Sequence, residues 1–200
     1  MTLPFLYVSF SFSRSVIFPE GGDTIVASLL LLLILHDVLD PRRNSWSPCR
    51  HRGAVRNVVA GWSIWLAKVQ VSVIYAVSVL EKLKVNEWLD GSVLYYWMVW
   101  SIYTVPDPIG FVRQIFVVPI IAAASAWFTI ILEALLAASI VTGYRFRRIL
   151  VPLGVGFHGA IAVAMGLYTF WLSMSAALIY LLVSPGDRSW LPRARGYPDS

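Results

Sequence analysis

Charge is what this sequence has least of. Of its 200 residues, 14% are Asp, Glu, Lys or Arg and 58% are hydrophobic, with a mean hydropathy of +0.70. A water-soluble domain of this length needs a charged surface, so that class is excluded. Cysteine is nearly absent as well. Cys49 stands alone, which rules out an internal disulfide, a CxxC redox pair and a thiolate-rich metal site, and makes a free structural thiol the plain reading. No second histidine stands at metal spacing from His158, so no metal site is expected. The start of the chain has neither a basic n-region nor a small-x-small site, and no cleavable signal peptide is expected. The formal charge of +5 does not point to nucleic acid, because the arginines sit in short stretches between apolar runs. Orientation in a membrane explains them better.

What the chain has instead is apolar runs. Residues 25–35, 58–80 and 119–141 carry almost no charge, and about 20 helical residues cross a bilayer core roughly 30 Å thick. Nine Trp and nine Tyr suit a chain with many membrane interfaces. The fold expected is all-α: a polytopic transmembrane bundle of about 4–6 membrane helices, one of them short and re-entrant or interfacial. It would sit in the cell membrane with the lipid bilayer as its first partner.

Turn and charge signals divide the chain. Residues 1–20 read as an interfacial or truncated segment, 21–184 as one membrane domain and 185–200 as a polar tail. Gly21-Gly22-Asp23-Thr24 is a turn and N-cap opening the first run, which Asp40-Pro41 ends. Arg42, Arg43, Arg50, Arg52 and Arg56 then mark a basic loop. A helix is expected over 58–83, a polar turn over 84–91 and a short aromatic segment over 92–105, closed by Pro106-Asp107-Pro108. A second long helix is expected over 116–142, ended by Gly143 and the basic Arg145, Arg147 and Arg148. Residues 149–183 suit two packed helices with a break near 168–171. If residues 92–105 crossed the membrane, the two basic clusters would fall on opposite sides. Keeping both inside makes that segment re-entrant or interfacial.

Ionisable groups at membrane depth cost a few kcal/mol on insertion scales, so each needs a partner or a task. They are His36, Lys68, Gln70, Glu81, Lys82, Glu133 and His158. Lys68, Tyr75 and Lys82 are seven apart and share one helix face, while Gln70, Val77 and Glu81 lie on another. Two polar faces are expected of a buried helix lining a cavity, though Lys82 and Lys84 could equally snorkel to a nearby interface. Glu133 stands mid-helix, where it serves either as an interhelical hydrogen-bonding group or as a functional acid. His158 lies among small residues and reads as a base, a hydrogen-bond donor or a structural group.

The order Gly22-Asp23, then Gln70, Tyr75, Lys82, Trp88 and Gly91, then Glu133, then His158 and Phe170 resembles the HTTM domain. That is the membrane domain of vitamin K-dependent gamma-glutamyl carboxylase and its many bacterial and archaeal relatives. The densest likeness is residues 75–91, with a second at 157–170. The resemblance implies a carboxylase-like enzyme using reduced vitamin K or a similar quinone. Lys82 then matches the lysine that acts as base, although its gap to Trp88 looks one residue longer than in the animal enzyme. His158 and Glu133 match polar positions and are candidate catalytic groups, with Tyr75 and Trp88 as candidate cofactor contacts. The resemblance also implies further helices ahead of the Gly22-Asp23 segment and a large extramembrane domain in the animal enzyme. This chain is therefore expected to correspond to the C-terminal part of such a membrane domain.

Three functions follow from residues and resemblance together. One is a membrane enzyme, or its remnant, acting on a quinone-like lipid or on glutamate in a secreted peptide. Another is a non-catalytic membrane partner in peptide maturation or export, a task the family includes. The third is a small transporter subunit, weakened by the lack of an internal repeat. On the topology, Cys49 is expected inside and Trp88 outside. An impermeant maleimide on intact cells should leave Cys49 unlabelled; strong labelling reverses the orientation.

Overall fold

The computed structural model describes residues 54–100 and 114–182, and expectations for the rest of the chain, His36 and Cys49 included, lie outside them. Among the described residues all regular structure is helical. Helix α1 is Ala54–Lys82, α2 is Asn86–Leu89, α3 is Val93–Trp100, α4 is Pro119–Ala138, α5 is Tyr144–Met165 and α6 is Tyr168–Leu182. Three of them, over Gly61–Lys82, Pro119–Ala138 and Tyr144–Met165, are long and apolar enough to cross a membrane. The chain is a helical membrane protein.

Local chemistry sets the breaks. Pro119 occupies the first turn of α4, where a missing N–H costs nothing. Gly166, at φ 76°, ends α5 in the left-handed conformation that favours glycine, and α6 starts two residues later. Between α2 and α3, the Ser92 hydroxyl and backbone N–H both donate to Asp90 Oδ1, at 2.7 and 2.8 Å. Those bonds hold the Asp90 carboxyl below the usual carboxylate range and pin a tight turn.

Side-chain neighbours give the helix directions. Lys82 at the end of α1 meets Glu133 of α4, and Gly91 farther along meets Ala123 earlier in α4, so α1 and α4 run antiparallel. Leu136 of α4 approaches Gly154 of α5 while Phe128 meets Phe157, again antiparallel. Trp171 packs on Gly159 and Leu178 on Gly154, which turns α6 back along α5. Arg145, Arg147 and Arg148 thus lie at the start of α5, toward the end of the bundle away from Lys82.

The core lies where the four long helices meet. Val71 and Tyr75 of α1, Leu132 and Leu136 of α4, Leu150 and Val151 of α5, and Leu178 and Leu181 of α6 form one buried cluster. Trp88, Val93, Ala126 and Ile130 form a second, which seats the α2–α3 turn against α4. Large apolar side chains such as Ile120, Ile131, Ile149, Leu153 and Ile179 face outward. In water that surface would be a liability; in a bilayer it is the required one.

The structure shifts several sequence expectations. Over its described residues, Val93–Trp100, helix α3 packs on α4, while residues 101–105 of the expected short segment lie outside the described residues. The last pair of helices breaks at Gly166, ahead of 168–171. The basic cluster is not a loop: Gly143 caps α5, and Arg145, Arg147 and Arg148 lie within its opening turns. Of the two polar faces expected on α1, one turns outward. Glu81 is exposed and pairs only with exposed Lys84 at 2.6 Å, a contact of little energetic consequence.

Gly91 carries a sharp prediction. Its φ is 79°, and any Cβ would collide with the Ala123 backbone, which has nowhere to move. Gly91→Ala should cost at least about 2 kcal/mol through left-handed strain and overpacking together. Reversible unfolding in mixed micelles reads this directly, and a neutral variant would show that the turn does not dock on α4.

Candidate functional site

Lys82 is the last residue of α1, where the negative end of the helix dipole favours a cation. Its ammonium donates to both carboxylate oxygens of Glu133, at 2.7 and 3.0 Å, and to Ser78 Oγ at 2.6 Å. Ser78 stands one turn back on α1, at the four-residue spacing that brings helix side chains together. The ion pair is largely enclosed, with Lys82 16% and Glu133 7% exposed. The Lys82 ammonium also lies 5.2 Å from the centre of the Trp88 ring, a cation–π distance.

One helical turn or two deeper, Tyr75 and His158 join α1 to α5. The Tyr75 hydroxyl and His158 Nε2 are 2.9 Å apart; the hydroxyl donates when the imidazole carries its proton on Nδ1. Phe157 and Phe170 meet the His158 ring edge to face, at centroid distances of 5.1 and 5.4 Å. His158 is 2% exposed, and its Nδ1 is buried without a partner among the described residues. Both ring nitrogens of a histidine want a partner, so Nδ1 holds one hydrogen-bonding position in reserve.

These groups line a single cavity of about 710 Å³, walled chiefly by Trp88, Trp97, Phe128, Phe157, Phe170 and Met174. Its size falls within the range of small-molecule sites, and so does its plan of apolar walls with a few convergent polar groups. Lys82, Glu133, His158, Tyr75 and Trp88 all reach it, and the geometry brings the five sequence candidates together. Lys68, which shares their helix face, is not part of it. Among the described residues no group of three or more His, Cys, Asp or Glu could hold a metal.

Sequence reasoning missed Ser78, Trp97 and Phe128. Ser78 was discoverable from its four-residue spacing to Lys82. Trp97 and Phe128 were not, because only the docking of α3 on α4 and of α4 on α5 brings these half-exposed rings to the rim of the cavity. Trp97 stands edge-on to Trp88 at 5.7 Å, so one candidate contact is positioned by a residue the sequence did not single out.

Comparison with known proteins places relatives beside this geometry. The chain is similar to the sporulation-delaying protein SdpB of Bacillus subtilis (strain 168), 31% identical over 179 residues, covering 88% of this chain and 55% of SdpB. It is also similar to the uncharacterized protein YitO of the same organism, 29% identical over 189 residues, covering 90% of this chain and 59% of YitO. The chain thus spans a little over half the length of these curated relatives. No family model matches it, and no solved structure matches it.

The ion pair is testable by charge exchange. Removing one partner of an enclosed pair leaves an uncompensated charge and costs about 3 kcal/mol. Glu133→Gln keeps one acceptor for Lys82 and should cost less than that, whereas Glu133→Lys sets two cations together and should cost more. The double exchange of Lys82→Glu with Glu133→Lys should regain most of the loss. Equal unfolding free energies for all variants would show that Glu133 faces water.

Proposed function

We propose that the chain is a multi-pass enzyme of the cell membrane, with a carboxylase-like HTTM arrangement, that binds a reduced quinone-like lipid in the aromatic cavity and acts on a glutamate of a secreted peptide. The observation carrying this reading is the convergence of Lys82, Glu133, Tyr75 and His158 on one apolar cavity at membrane depth. The lining fits a flat, largely apolar ring with polar edges: aromatic walls for its faces and the unpartnered His158 Nδ1 for a hydroxyl or carbonyl. A reduced quinone, when bound, would supply an acidic hydroxyl and reducing equivalents.

The chain's own groups then divide the work. Tyr75 fixes the His158 ring and leaves Nδ1 to orient the ligand. Glu133 accepts a proton from Lys82 Nζ, which leaves a neutral amine whose lone pair can take a proton from the ligand. Trp88 covers the amine on one side, and the apolar wall around it limits competition from water for that proton.

One observation favours a second reading, a non-catalytic membrane partner in peptide maturation or export. All three N–H donors of the resting Lys82 ammonium are engaged, by two Glu133 oxygens and Ser78, as in a structural clamp. A name that ties SdpB to delayed sporulation is compatible with either reading.

Lys82→Arg separates them, because arginine keeps the pair with Glu133 yet stays protonated. Membranes containing the chain, a glutamate-bearing peptide, labelled bicarbonate and a reduced naphthoquinone should incorporate label in the wild type. The Arg variant should lose that incorporation while inserting and folding normally. Full activity in the variant removes Lys82 as a base, and saturable naphthoquinone quenching of Trp88 and Trp97 fluorescence without turnover supports the non-catalytic reading.

A further inference from the structure

Below the cavity, at the level where α5 begins, a second set of polar groups lacks partners among the described residues. Lys68 is 7% exposed and makes no hydrogen bond or ion pair among the described residues. Arg147 of α5 lies within electrostatic reach of it, and its Nε is buried and unpartnered. Ser72 Oγ and Ser139 Oγ are likewise buried without partners.

Helical spacing gathers these groups. Lys68 is one turn before Val71 on α1, Arg147 one turn before Leu150 and Val151 on α5, and Ser139 one turn after Leu136 on α4. Val71, Leu136, Leu150 and Val151 belong to one buried cluster, so the three polar groups sit just below the same packed layer. Ser72 adjoins from the next turn of α1. Arg148 is turned aside, its guanidinium 5.9 Å from the centre of the Tyr144 ring. Arg147 is therefore the arginine that joins Lys68.

The polarity of α5 sharpens the puzzle. Its first turn contains no acidic residue, and its Gly143 cap supplies no side-chain acceptor, so the positive end of the helix dipole adds to three arginines. Two cations, the start of α5 and two unpartnered hydroxyls thus fall around one packed layer of the bundle, where a membrane protein can least tolerate unneutralised positive charge. Each of these groups donates hydrogen bonds, and they sit at the basic face of the bundle, where anionic headgroups lie.

We propose that Lys68, Arg147, Ser72 and Ser139 form a binding site for a phosphate oxyanion, carried by an anionic lipid headgroup or by free phosphate, between α1, α4 and α5. The phosphate neutralises Lys68 and Arg147 together and satisfies the serine hydroxyls. It ties the start of α5 to α1 independently of the Lys82–Glu133 clamp. The site does not depend on the enzymatic reading, since it shares no residue with the cavity.

The test compares thermal unfolding of the purified full chain in neutral detergent with added phosphatidylglycerol, phosphatidylcholine or inorganic phosphate. Phosphatidylglycerol should raise the wild-type Tm while phosphatidylcholine does not; a matching rise with inorganic phosphate assigns the site to the free ion. Lys68→Met removes an unpaired buried charge, so it should hold or raise the Tm without anion and abolish the anion-dependent increment. Arg147→Gln should reduce that increment, and Lys68→Arg should retain it. Native mass spectrometry should show phosphatidylglycerol retained by the wild type and lost from Lys68→Met. An unchanged increment in Lys68→Met, no increment in the wild type with any anion, or a Tm for Lys68→Met lowered equally with and without anion overturns the proposal.

Discussion

The bundle depends on a proton-bearing clamp between the end of α1 and the middle of α4. A lysine and a glutamate separately exposed to hydrocarbon would each disfavour insertion, whereas together, at 2.7 Å, they neutralise one another and join two helices. In a bilayer no hydrophobic force draws one apolar helix to another, so such polar contacts and close packing decide the arrangement. Once Lys82 meets Glu133, Tyr75 farther back on α1 is carried to the level of His158, and the second polar contact follows.

Glycine and aromatic packing turn this pair of contacts into a cavity. Gly154 admits Leu136 and Leu178, and Gly159 admits Trp171, so α5 lies close against α4 and α6. The Trp171 indole donates to the Val155 carbonyl at 3.0 Å, which locks the α5–α6 hairpin on the far side of His158. Large rings then hold the walls apart where the smaller side chains would have collapsed. The bundle is hollow toward the end that carries Lys82.

Much of this was legible before any coordinates. The apolar runs announced α1, α4 and the α5–α6 pair. Where boundaries slipped, local chemistry was the reason. Gly143 can cap a helix as well as end one, so the arginines after it belong to α5. Gly166 takes a positive φ that spacing alone could not assign, so the final break came early.

Periodicity and composition by themselves determined that the chain is a bundle of membrane helices, and that Lys82, Glu133 and His158 needed partners, because a polar group in hydrocarbon is costly wherever the helices go. They could not say which partners. Lys82 with Glu133 and Tyr75 with His158 are separated by 51 and 83 residues, and only helix direction and register bring them within hydrogen-bonding distance. Tertiary packing also sorted the faces of α1. Lys68, Tyr75 and Lys82 stand at the same seven-residue interval, yet two reach into one cavity and the third lies outside it, within electrostatic reach of Arg147. The interval fixes an angle about the helix axis, and depth along that axis belongs to the neighbours.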